Sequence, residues 1–140
     1  MKMAMRRLGV VVLVLLVAAC KRQPANSPEG VYRGFVDAVQ RGNTTKAWGS
    51  LSKQTQQKVE QRSKAISEAS KGVVRDEPRL LLFQGTRPGP IGEVTQLRAD
   101  DTSAVLQVAS AGGTREVKMV KDSGQWFIDL TETLEGRDAP

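Results

Sequence analysis

The chain has 140 residues, 21 Lys and Arg against 15 Asp and Glu, no histidine and one cysteine. Without histidine and with a single thiol, His-ligated zinc and intrachain disulfides are excluded, and the commonest general base is missing. The formal charge of +6 is accompanied by no nucleic-acid-binding motif, so it does not by itself argue for a nucleic-acid partner.

The first nineteen residues read as an export signal. Lys2, Arg6 and Arg7 form a basic start, Leu8 to Ala19 is uncharged and apolar, and small residues precede Cys20. Crossing a bilayer takes about 20 apolar residues, and this stretch ends at Cys20 and runs into Lys21 and Arg22, so a retained spanning helix is not expected. Two cleavage readings compete. Val17-Ala18-Ala19 suits ordinary signal peptidase, which leaves a free thiol, whereas Val17-Ala18-Ala19-Cys20 resembles the lipobox of bacterial lipoproteins. That resemblance implies cleavage between Ala19 and Cys20 and acylation of Cys20, making membrane lipid the first partner. A lone exposed thiol in an oxidising compartment would have no partner, which favours the lipidated reading.

Two or more acyl chains make such attachment stable. Residues 20–27 then form the lipidated N-terminus and a polar tether that spans at most about 25 Å. The protein is expected in the cell envelope, facing the periplasm. Lys21 is not the aspartate associated with inner-membrane retention in enteric bacteria, so the resemblance leans toward the outer membrane. Loss of the leader's three basic residues lowers the formal charge to +3, and an exported domain meets no genome; nucleic acid is set aside. Residues 20–87 hold 13 basic and 6 acidic side chains and residues 88–140 hold 5 and 9. The basic half could rest on anionic headgroups, but its charges are dispersed rather than clustered in one run.

One domain is expected over residues 28–134, with residues 135–140 as a mobile tail lacking an apolar pattern. Ser27-Pro28-Glu29 supplies an N-cap, a proline at the first helical position and an early acid. Val31, Phe35 and Val39, with Tyr32 and Val36 beside them, give that helix a broad apolar stripe, and Gly42 stops it. Asn43-Thr44-Thr45 caps a short helix carrying Ala47, Trp48 and Leu51, and Ser52 caps a third from about residue 53 to 70. The third is mostly polar, with a narrow seam of Val59, Ile66 and Val73. Asp76-Glu77-Pro78 opens a further turn bearing the apolar plug Leu80 to Phe83, and Arg87-Pro88-Gly89-Pro90 ends helical spacing.

Alternation then predicts strands over 91–99, 103–110, 114–121 and 125–131, an antiparallel meander. Ala104, Leu106 and Val108, then Val117 and Met119, then Trp126, Ile128 and Leu130 share an apolar face against which the helices pack. The fold class is therefore α+β, with N-terminal helices on a roughly four-stranded antiparallel sheet.

The Pro28-Glu29 helix start, the passage Gly42…Ala47-Trp48…Leu51-Ser52 and the closing Gly124-Gln-Trp126-Phe-Ile128-Asp129-Leu130 segment resemble small bacterial lipoproteins of the nuclear-transport-factor-2-like class. The resemblance covers about residues 28–131 and implies a cone-like domain, a curved sheet wrapped round the first helix, often with a pocket at the open end. Some members of that class are isomerases or dehydratases that use pocket carboxylates, histidines or tyrosines.

Here an acid–base mechanism would rest on Asp129, Asp37 or Tyr32. Alternation places Asp129 opposite Trp126, Ile128 and Leu130, on the solvent side, while Asp37 reads as solvated and Tyr32 as a helix residue with a wet hydroxyl. Tyr32, Phe35, Trp48 and Trp126 are the aromatics that line a pocket or fill the core. No cofactor is called for. The reading is a non-catalytic binding module for an envelope protein or an apolar small ligand, with a cryptic enzyme of the same fold and a structural membrane-surface protein as alternatives. A Cys20→Ser substitution in a lipoprotein-competent host is expected to abolish the acyl mass at the mature N-terminus and release the protein from membranes. Unchanged membrane association of that variant, with no acyl mass on the native protein, would contradict the lipid anchor.

Overall fold

The computed structural model describes residues 24–138. The export signal, Ala19 and Cys20 lie outside the described residues. Ser27, Asn43 and Ser52 start three successive helices, each side-chain oxygen accepting a backbone amide three residues on, from Gly30 (3.0 Å), Lys46 (3.1 Å) and Thr55 (3.1 Å). These are α1 (Pro28–Gln40), α2 (Thr44–Gly49) and α3 (Lys53–Ala69). Gly42 follows α1 at φ 71°, a left-handed conformation that costs glycine least. A two-turn helix, α4 (Pro78–Phe83), leads through the Pro-rich segment to β1 (Ile91–Ala99), β2 (Ser103–Ser110), β3 (Gly113–Asp122) and β4 (Gln125–Asp129).

The four strands form one open antiparallel sheet in the order β1-β2-β3-β4. Ala104 lies opposite Met119, Leu106 opposite Val117 and Met119 opposite Ile128, so these side chains share one face, and all are buried. Tyr32 and Val36 of α1 pack on that face, together with Trp48, Leu51 and Val59. Fully burying a side chain such as Leu106 or Ile128 contributes roughly 1.5–3 kcal/mol. Asp100 shapes the β1–β2 turn. The amides of Thr102 and Ser103 and the Ser103 hydroxyl bond its carboxylate and hold its pKa below the ordinary value.

The free edge of β4 is covered by the link between α2 and α3. Ser52 donates its amide to Ile128 (2.8 Å), and Ile128 donates to Ser50 (2.8 Å), a parallel bridge between Leu51 and Ile128. Beside it lies a buried hydroxyl cluster. Thr55, fully buried, accepts from Ser52 Oγ (2.9 Å) and from the Leu130 amide (2.9 Å) and donates to Asp129 Oδ1 (3.3 Å). Asp129 Oδ1 also accepts the Thr131 amide (3.0 Å) and hydroxyl (2.5 Å), at the start of α5 (Thr131–Asp138).

Three expectations are corrected here. Asp129 is 9% exposed, not solvent-facing, because α3 and α5 close over the far side of β4's end. The buried stripe of α3 is Thr55, Val59 and Ser63, at four-residue spacing, while Val73 is 86% exposed; small polar residues carry the seam because Thr55 bonds across to β4. The residues from Glu135 to Asp138 complete the last turn of α5, across the expected boundary at 134, since Leu134 is buried in the core and Glu135 pairs with Lys58.

Replacing Thr55 with the near-isosteric valine removes all three hydroxyl bonds and leaves the Leu130 amide without its acceptor. Thr55→Val is expected to lower stability by about 2 kcal/mol in urea unfolding, and Thr55→Ser by less than about 1 kcal/mol. Equal stability of the valine and serine variants would contradict the role given to the hydroxyl.

Candidate functional site

The sheet's inner face is only partly covered. α1 crosses it and the α2–α3 link closes the β4 edge, while α4, six residues long and without a side-chain cap, packs against α2 and α3. Next comes a chain that cannot form regular structure: Gly85 takes φ 73°, and Arg87-Pro88-Gly89-Pro90 follows. Gln40 at the end of α1 holds this segment by donating to the carbonyls of Pro88 (3.4 Å) and Gly89 (3.3 Å). Arg33 donates similarly to Gly92 (3.2 Å). Between α1, this wall and the sheet remains a cavity of about 620 Å³.

Its apolar lining includes Phe35 on α1, Leu82 and Phe83 on α4, Ile91 on β1 and Leu134 on α5. Phe35 stands 6.2 Å from Phe83 and 6.3 Å from Tyr32, ring centre to ring centre, so three aromatic rings run in a row along one side. Phe35 is only half-buried, although it belongs to the apolar stripe of α1, because the stripe is centred on Tyr32 and Val36.

At the cavity border Arg115 of β3 donates to Tyr32 Oη at 2.7 Å. Tyr32 is 2% exposed, so its hydroxyl is not wet but held by a guanidinium. Among the described residues Arg115 has no carboxylate within ion-pair distance, and Tyr32 donates its own proton to no acceptor.

Of the aromatics singled out by sequence, Tyr32 and Phe35 come together in this cavity and the two tryptophans do not. Trp48 is buried beneath a separate cleft of about 640 Å³ between α2, α3 and α4, whose border includes Glu60, Asp76 and Glu77. Trp126 is half-buried near the β3–β4 turn, with Lys121 Nζ 5.6 Å from its ring centre.

The acid–base candidates are similarly dispersed in role. Asp37 pairs with Arg41 (2.9 Å) one turn along α1, both partners well solvated. Asp129 borders the cavity, but one oxygen is engaged by two threonine hydroxyls and an amide. No group of three or more His, Cys, Asp or Glu side chains suited to a metal occurs among the described residues. No described helix is long and apolar enough to cross a membrane.

Arg115 was the residue to find by sequence. It alternates with Val117 and Met119 and so occupies the same strand face as these core residues. In comparisons with known proteins, no family model matches this chain and no curated protein matches it.

Proposed function

We propose that this chain is an envelope lipoprotein of the nuclear-transport-factor-2-like kind, acylated at Cys20 after cleavage behind Ala19. Its cone-like domain is a non-catalytic module that takes an apolar small molecule between α1, α4 and the sheet. The observation that carries the reading is the cavity of about 620 Å³ bordered by Phe35, Leu82, Phe83 and Ile91. Sites for small molecules are concave, mostly apolar and roughly 300–1,000 Å³, with few polar groups set among the apolar ones.

A binding role fits the polar groups better than catalysis. Asp129 spends its hydrogen bonds on tying β4 to α3 and α5, and Tyr32 is bonded to a cation rather than to a base. The lipid anchor suits the start of the domain. Pro24 to Ser27 is folded onto the first turn of α1, with Ser27 donating its amide (3.0 Å) and hydroxyl (2.8 Å) to Pro24 and Asn26 reaching the Gly124 carbonyl (3.2 Å). A Cβ at Gly30 would come within 2.4 Å of the Pro24 oxygen. From Cys20 to Pro24, where the described structure begins, the chain can reach at most about 14 Å. An acylated chain so tethered stays close to the periplasmic face of its membrane, with the outer membrane favoured.

A second reading, contact of the helical half with the membrane surface, draws on one observation. Val73, Val74, Leu80 and Leu81 are exposed beside Lys71, Arg75 and Arg79. The cationic side chains are partly spent on acidic neighbours, as in the Arg75–Glu77 pair, so we place it second.

The neutral fluorophore N-phenyl-1-naphthylamine tests the cavity. Added to the mature chain carrying Cys20→Ser, it is expected to show saturable one-to-one fluorescence enhancement, weakened about tenfold by Phe83→Ala through lost apolar contact. Absence of saturable binding, or binding indifferent to Phe83→Ala, would remove the proposal.

A further inference from the structure

We propose that the cavity's occupant is an amphiphile with an anionic head, a single-chain carboxylate, and that Arg115 and Tyr32 hold the carboxylate. This deepens the reading of the cavity as a binding site and rests on it. A guanidinium has five N–H donors, and Arg115 uses one known bond, to Tyr32 Oη at 2.7 Å. The phenol accepts that bond, so its own proton faces outward from the pair, and among the described residues it meets no acceptor. Tyr32 is 2% exposed, whereas Arg115 is exposed, so the pair stands where the buried face of α1 meets solvent. The two side chains therefore offer donors and nothing else at one point on the border of an apolar cavity.

The sheet register puts Arg115 on the cavity side. It lies opposite Val108, a core residue of β2, and alternates with the buried Val117. The acids bordering the cavity do not neutralise it. Among the described residues neither Glu116, Asp129 nor Glu132 lies within ion-pair distance of Arg115; Glu132 pairs with Lys118 at 3.2 Å, and Asp129 is engaged by Thr55 and Thr131. Arg87, in the Pro-rich wall, borders the same cavity and adds a second cation.

A carboxylate has two oxygens that accept only, and it fits a guanidinium through two parallel bonds while a third lone pair takes the phenol proton. Phe35, Leu82, Phe83 and Ile91, which border the same cavity, offer no polar atoms of their own side chains. A head and a tail are thus both specified. A neutral apolar molecule would leave the exposed guanidinium to water and gain nothing from it, and a small polar anion would leave the aromatic wall unused.

Displacement of N-phenyl-1-naphthylamine from the mature Cys20→Ser chain by dodecanoate and by dodecanol compares head groups on one tail. Dodecanoate is expected to displace the probe at a concentration about tenfold lower than dodecanol, the effect of one charge-assisted site. Arg115→Gln is expected to bring that ratio toward one, Tyr32→Phe to lower it partly, and Arg115→Lys to restore some of it. A thermal unfolding curve for each variant shows whether it is folded, and the acid-to-alcohol ratio is read within each variant. Equal displacement by acid and alcohol, or an Arg115→Gln variant that keeps the preference, overturns the carboxylate site while leaving the apolar cavity standing. Failure of the neutral probe to bind removes both.

Discussion

One buried oxygen, the Thr55 hydroxyl, joins three elements of this domain. It takes the Ser52 hydroxyl and the Leu130 amide and gives its proton to Asp129 Oδ1, which in turn holds Thr131, so α3, the end of β4 and the start of α5 meet at two neighbouring oxygens. A buried hydroxyl is tolerated in an apolar setting only when its bonds are made, and here two of the three cross from α3 to the end of β4 and the residue after it. With the Leu51–Ile128 bridge alongside, the helical layer is fixed against the β4 edge. α1 is thereby held across the sheet, reaching β1 through the Arg33–Gly92 bond, while α4 packs against α2 and α3 and the Pro-rich segment closes the end.

That allocation explains why a cavity persists. The chain has three Phe, two Trp and one Tyr, and both tryptophans pack elsewhere, Trp48 against the helices and Trp126 near the β3–β4 turn. The space beside α1 is bordered by phenylalanines and aliphatic residues that meet along its sides without filling it. α4 is too short to cover this space, and the proline-rich wall has few amides with which to build a longer cover. The apolar surface left open is balanced by a polar pair at its border, Tyr32 with Arg115.

Much of this was readable from residue order, for local reasons. Ser27, Asn43 and Ser52 are caps whose geometry depends on three following residues, and β2 and β3 alternate over a buried face, whereas β1 buries only Val94 and is irregular in register. The misjudged positions depend on distant partners. Alternation turned Asp129 toward solvent because nothing nearby in sequence announces Thr55, 74 residues away. The same long-range bond makes Thr55, rather than Ile66 or Val73, part of the α3 seam. Leu134 gives α5 its one buried apolar anchor, too little to stand out as a periodic pattern. Arg115 was visible by alternation with Val117 and Met119, but its meaning depends on α1 placing Tyr32 against it. The position of Phe35 beside a void, rather than in the core, depends on how little α4 covers.

The account stands on the space beside α1 being accessible and being where ligands enter. Amide chemical-shift mapping of the isotope-labelled mature Cys20→Ser chain, on titration with dodecanoate, locates that entry residue by residue. The predicted shifts concentrate at Tyr32 to Val36, Leu82 to Phe83, Ile91 and Arg115 to Val117, and grow to saturation. Shifts confined to the exposed Val73 to Leu81 surface, or no shifts at all, would contradict it.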